Sequence, residues 1–304
     1  MQTTTNIEAT TNLQTTANNN KSQTDHNHQD ENNCPTVLSR QTVLSRQAIL
    51  HRQALQGIHA LASVVMQNKD NWFSGHTGAS IISGVLLVKS GLLNQATSNA
   101  IAEKVAFIIQ SNQTDIYEFD QTDLSDDVSP IVKAIEDQKD QLCASGHGVI
   151  YGALLLDVMQ SFALKVNKQV ILNIAQLITN NKKDNPKRFY SVNDYRLVKA
   201  PTKPVENWDA FFINVIERSV SNVYHDDGTY FFTGEKLHGI THAHAIFTLR
   251  RLGYKTLTQS LALQLLKQVE LTDFHPEKTA VKVKSHRFEP NDLQVWREVK
   301  GNDN

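Results

Sequence analysis

Cysteine is nearly absent from this chain: Cys34 and Cys143 are the two in 304 residues. A pair this sparse cannot build a disulfide framework and lacks the spacing of a metal knuckle, which suits a reducing compartment. Cys143, just ahead of an apolar helix, is expected to be a small buried hydrophobe. Net charge is also missing, at −1, and the basic residues are dispersed rather than clustered. That balance gives a polyanion nothing to grip and argues against nucleic-acid binding. No apolar run approaches the roughly eighteen residues of a membrane span; the longest, Gly148–Leu156, stops at Asp157. There is no G-x-S-x-G elbow, no P-loop and no G-x-G-x-x-G between a strand and a helix. A hydrolase-type serine and a self-contained dinucleotide domain are therefore not supported. The expectation is a cytoplasmic protein with no membrane segment.

What is present falls into two compositional parts. Residues 1–35 are rich in Thr, Asn and Gln, hold no apolar run of the kind a secretory signal uses, and read as a disordered polar leader. Residues 36–304 read as one all-α domain. They open on a stutter, TVLSRQ, TVLSRQ, AILHRQ, whose six-residue period makes no single apolar stripe on a helix. Helices are predicted over Ile49–Met66, His76–Val88, Asn94–Gln110, Ser129 to about Leu142, Ser145–Lys165, Lys168–Thr179, Asn207 to about Tyr224, Leu237–Leu252 and Thr258–Val269. Ser74 is the expected N-cap of the second. Gly148 and Gly152, one turn apart, predict close packing against a neighbouring element. The acidic stretch Asp115–Asp127 lacks the glycine and closing glutamate of a calcium loop and reads as a solvated connection. The loop 180–204 is long enough to suggest a cover or a contact surface. The tail from Thr272 is charged, with Trp296 expected to fold back. The paired helices suggest an array of antiparallel hairpins, which a longer repeat would curve into a toroid.

Three segments carry the chemistry. Each opens with a histidine beside a glycine and continues as an apolar helix: SGHTGASIISGVLLVKSGL from Ser74, SGHGVIYGALLLDVMQSFAL from Ser145, and LHGITHAHAIFTLRRL from Leu237. In the third, His238, Thr241, His242 and Ala245 share one helical face, and His244 lies a third of a turn away. Buried neutral histidines act as proton carriers, metal ligands or hydrogen-bonding core residues. His76, His147, His238 and His244 are the candidate catalytic residues. Tyr151, Thr241, His242 and Arg250 are candidates for substrate binding. For a metal, His238 and His242 have the i, i+4 spacing, but residue 239 is Gly where a metalloprotease helix carries Glu. A third ligand would have to come from an earlier segment.

These segments resemble the questin oxidase-like family over roughly residues 70–255. Gly75-His76 through Ser90-Gly91-Leu92 is similar to the family's first histidine block, and His147-Gly148-Val149-Ile150 to its H-G-x-I-R block. Leu237-His238-Gly239-Ile240-Thr241-His242-Ala243-His244-Ala245 is similar to its L-H-x-x-T-x-x-H-A block. Tyr151 stands where the second block has arginine, and Arg250 or Arg251 is the candidate to supply that charge. The resemblance implies a cofactor-poor or NADPH-dependent oxidoreductase that inserts oxygen beside a ketone of an aromatic, polyketide-like molecule. The residues alone leave two alternatives open. One is a non-catalytic helical-repeat protein that binds a small molecule or a protein. The other is a metal-dependent hydrolase built on His238, His242 and one earlier histidine. The oligomeric state is left open.

Overall fold

A computed structural model describes residues 37–67, 72–182, 204–220, 224–226, 231–272 and 283–285. Residues 1–43 separate from residues 44–304 as a unit, described only over its helical residues 37–43. The polar leader, most of the 180–204 loop and Trp296 lie outside the described residues.

The described residues are 77% helical, so the fold is all-α. The helices are α1 (Val37–Met66), α2 (His76–Lys89), α3 (Gln95–Ser111), α4 (Ser129–Glu136), α5 (His147–Phe162), α6 (Lys168–Thr179), α7 (Trp208–Val220), α8 (Phe231–Arg251) and α9 (Lys255–Thr272). Two small antiparallel pairs join them: β1 (Leu124–Ser125) with β2 (Val166–Asn167), and β3 (Tyr224–Asp226) with β4 (Val283–Ser285). No described helix is long and apolar enough to cross a membrane.

Local sequence explains most boundaries. Asn94 caps α3 by accepting from the Thr97 N–H at 2.9 Å, and Asn167 caps α6 by accepting from the Gln169 N–H at 2.8 Å. Along α6, Val170, Ile171, Ile174, Leu177 and Ile178 form one buried stripe. The acidic stretch is mostly exposed, as expected of a solvated connection, and surface contacts tether it. Asp123 pairs with Lys168 at 2.6 Å, Asp126 pairs with Lys165 at 3.2 Å, and Asn167 donates to Asp120 at 2.6 Å. Two expectations fail. The fourth helix stops at Glu136 instead of reaching Leu142, because the chain must turn before Ala144, whose N–H donates to the Lys182 carbonyl at 3.0 Å. Ser74 does not cap α2; it lies inside a short 3-10 turn, Trp72–Gly75, and Gly75 precedes the helix without a side-chain cap.

The core is organised around α5, buried from His147 to Met159 except at Ile150. Gly152 lets α4 approach, since a Cβ there would meet the Ile135 side chain at 2.5 Å. Antiparallel hairpins do occur: Arg250 lies over Trp208 and Lys236 Nζ donates to the Arg218 carbonyl, fixing α7 against α8. The three histidine-bearing helices are different. His147 and His238 approach at one end, with ring centroids 4.6 Å apart, while Asp157 and Arg251 pair at the other, so α5 and α8 run parallel. His76 meets His147 at one end and Lys89 lies over Phe162 at the other, so α2 runs parallel to α5 as well.

Candidate functional site

This parallel arrangement brings three distant histidines, each beside a glycine in sequence, into one cluster. His76, His147 and His238 each offer a ring nitrogen, and the three nitrogens lie within 4.8 Å of one another. His147 is buried, while His76 and His238 are half-buried. His76 Nδ1 donates to the Phe73 carbonyl at 2.7 Å, and His147 Nδ1 donates to the Ala144 carbonyl. A carbonyl can only accept, so both protons sit on Nδ1 and both Nε2 atoms are bare when the rings are neutral. These two Nε2 atoms face each other at 3.1 Å. Neutrality is enforced by burial, which drives His147 down to about 3 and lowers His76 as well; the neighbouring His238 adds to both shifts. Two lone pairs held nose to nose repel unless a proton or a cation lies between them.

The backbone that delivers His147 is unusual. Ala144, Ser145 and Gly146 take φ values of 44°, 53° and 87°, three left-handed residues in a row, two of them with side chains. For Ala144 and Ser145 such conformations cost about 1–3 kcal/mol each, and residues held this way gather at functional sites. The turn leaves α5 without a side-chain cap, with Gly146 at the N-cap position. Gly146 is required there, because a Cβ would lie 2.6 Å from His242 Nδ1. The N-terminal ends of α2 and α5 start at the cluster, and their partial positive charge adds to burial in keeping His76 and His147 unprotonated.

A second layer surrounds the three rings. Gln268 Nε2 donates to the Ser145 carbonyl at 3.1 Å, which leaves Gln268 Oε1 to accept from His242 Nδ1 at 2.9 Å. His242 therefore presents a bare Nε2, fully buried and with no hydrogen-bond partner among the described residues. Burial brings its pKa down to about 4. Trp72 lies across His147 with ring centroids 4.2 Å apart, and the Tyr151 hydroxyl donates to the Trp72 carbonyl at 2.7 Å. Burial raises the Tyr151 pKa, so it stays a neutral donor.

Of the residues singled out from sequence, His76, His147 and His238 come together, with Tyr151 and His242 packed beside them. The i, i+4 pair His238 and His242 does not converge on a shared point; His238 joins the two earlier histidines and His242 turns to Gln268. Thr241 and His244 line a neighbouring chamber. Arg250 stacks over Trp208 at 4.3 Å, away from the cluster. Trp72 and Gln268 are the functional side chains that sequence reading missed. For Gln268 a signal existed: Gln264 and Gln268 sit one turn apart among Leu261, Leu265 and Val269 on the buried face of α9.

Comparisons with protein families, with curated proteins and with solved structures found no match.

Proposed function

We propose that this protein is a metal-dependent oxidoreductase of questin oxidase-like type, inserting oxygen beside a ketone of an aromatic, polyketide-like molecule. The observation that carries the metal is the pair of bare Nε2 atoms of His76 and His147, 3.1 Å apart, with the His238 imidazole beside them. Nitrogens at that separation can both reach one ion at about 2.0–2.1 Å. Anchoring of Nδ1 on a backbone carbonyl is the usual outer contact of a metal-bound histidine. Three imidazoles suit zinc, copper, iron or nickel. What supports the oxidoreductase assignment is that each histidine block of the resemblance contributes one ring to the cluster.

When bound, such an ion would polarise an oxygen or carbonyl ligand. His242 Nε2 is a buried, neutral acceptor near the centre, and Trp72 lies across His147. Insertion of one atom of O2 leaves the other to depart as water, which takes two electrons and two protons from a donor. NADPH is the donor that the resemblance implies. A second reading, a metal hydrolase, draws on the same feature: three protein nitrogens with an open position are also a hydrolytic donor set.

Elemental analysis of the purified full chain should find about one transition-metal ion per chain, lost in His147→Ala. Oxygen uptake with a panel of hydroxylated aromatic ketones should follow metal content and fall at least a hundredfold in His238→Ala. Absence of stoichiometric metal removes both readings. Metal-dependent ester cleavage without oxygen uptake would transfer the assignment to the hydrolase.

A further inference from the structure

The three parallel helices do more than bring histidines together. Ser83 on α2, Leu154 on α5 and Ala245 on α8 each lie seven residues after the histidine of their own helix. Seven residues are close to two full turns, so each sits on the same face as its histidine, about 10.5 Å further along. Ile150 and Thr241, three residues after His147 and His238, fill the intervening turn on two of the helices. All five line one chamber of about 300 Å³ between α2, α5 and α8. A larger recess of about 560 Å³ lies at the far end of α5, around Met159 and Lys165, and shares none of these residues.

We propose that this chamber binds a compact, uncharged apolar molecule carrying one or two hydroxyl or carbonyl oxygens. Which atom of that molecule reacts rests on the metal-centre reading above; the binding itself does not. The volume is at the small end for ligand sites and equals roughly ten water volumes, which suits a ligand of about ten to fifteen non-hydrogen atoms. The walls are mostly hydrocarbon, with the hydroxyls of Ser83, Thr241 and Thr248 as polar points. His244 stands at the edge, and burial lowers its pKa, so the neutral ring can donate to or accept from a ligand oxygen.

Charge on the ligand is disfavoured by what the nearby cations already do. Arg251 is paired with Asp157 at 2.7 Å, Arg250 lies over Trp208, and Lys89 lies over Phe162. A carboxylate entering this space would lose hydration without gaining an ion partner. A neutral hydroxyl exchanges one water hydrogen bond for one with Thr248 or His244, or donates to the Thr241 oxygen, whose own proton goes to the His238 carbonyl at 3.2 Å, at little net cost.

The test is equilibrium binding of 2-naphthol and of naphthalene-2-carboxylate to the full chain by calorimetry, with and without prior chelation. Ser83 and Thr241 are exposed at the mouth, so Ser83→Phe and Thr241→Phe fill the chamber without disturbing buried packing. Saturable one-to-one binding of 2-naphthol is expected, at least tenfold tighter than the carboxylate and weakened at least tenfold in both variants at unchanged Tm. No saturable binding, equal affinity for the carboxylate, or indifference to both variants would overturn the proposal. Naphthol binding in a protein that never holds metal supports the chamber and sinks the metal centre. Stoichiometric metal without naphthol binding does the reverse.

Discussion

The two ends of the α2–α5–α8 bundle are built on opposite terms. At the far end, cations meet water: Arg251 pairs with the mostly buried Asp157 while half-exposed itself, Lys165 pairs with Asp126 in the open, and Lys89 rests on Phe162. A left-handed residue occurs there too, Ala163 at φ 49°, but as the C-cap of α5, with its N–H donating to the Gln160 carbonyl, an ordinary way for a helix to end. At the histidine end, His147 and His242 are buried and neutral, two bare nitrogens face each other, a third such nitrogen on His242 has no partner among the described residues, and Ala144 and Ser145 hold left-handed conformations. Ordinary stability does not call for these features, and each one costs free energy. The far end closes the bundle; the near end keeps acceptors poised for something that the chain alone does not supply.

The largest way to break this comparison is acid. His147 and His242 titrate at about 3 and 4 in the folded chain, both lowered chiefly by burial, against an ordinary histidine value near 6.5. Below pH 6.5 the unfolded chain takes up protons that the fold refuses. Stability of the metal-free protein is therefore complete above that pH and is lost as pH falls towards 3. Each unit of depression corresponds to about 1.4 kcal/mol, so the loss amounts to several kcal/mol. Urea denaturation midpoints from pH 7 to pH 4 should fall steadily, and fall less in His147→Gln. Parallel curves for the two proteins would mean that His147 is not held neutral by burial.

The histidine end was also the part more legible in the sequence, though unevenly. A histidine beside a glycine in an apolar segment marked His76, His147 and His238, because residue type and spacing survive without coordinates, although His238 lies inside α8 and not at its start. The helices themselves were legible for the same reason, since stripes such as Val170, Ile171, Ile174, Leu177 and Ile178 carry their own period. What could not be read was direction: nothing local says that α2, α5 and α8 run parallel, so the i, i+4 pair His238–His242 looked like the natural ligand pair. Nor could the left-handed turn be read, because Ala144 and Ser145 are not residues that advertise positive φ. Tertiary contacts hold that turn, among them the hydrogen bond from Gln268 to the Ser145 carbonyl.

A smaller perturbation tests whether that turn sets the site. Gly146→Ala places a methyl group where φ is 87° and where the His242 ring lies 2.6 Å away. The left-handed conformation alone costs about 1–2 kcal/mol for an alanine, and the ring must move off Gln268 to make room. Thermal unfolding should drop by several degrees, about 2–4 °C per kcal/mol in a domain of this size. Metal content should fall with it, because His147 follows Gly146 directly. A stability loss with full metal content would show that the turn supports packing and not the site.

The smallest effect belongs to the far end. Arg251→Ala removes a half-exposed partner of Asp157, which keeps the Ser161 hydroxyl at 3.1 Å. Arg251 reaches solvent, so screening and side-chain entropy offset much of the attraction, but the mostly buried Asp157 is left with Ser161, and the loss is about 1 kcal/mol. Tm should therefore fall by no more than about 4 °C. Metal content should not change, since three turns of α5 separate Asp157 from His147. If Arg251→Ala also emptied the histidine cluster, the two ends would have to be coupled through α5 and α8 as rigid rods. The contrast between an end that closes the bundle and an end that does chemistry would then collapse into a single cooperative unit.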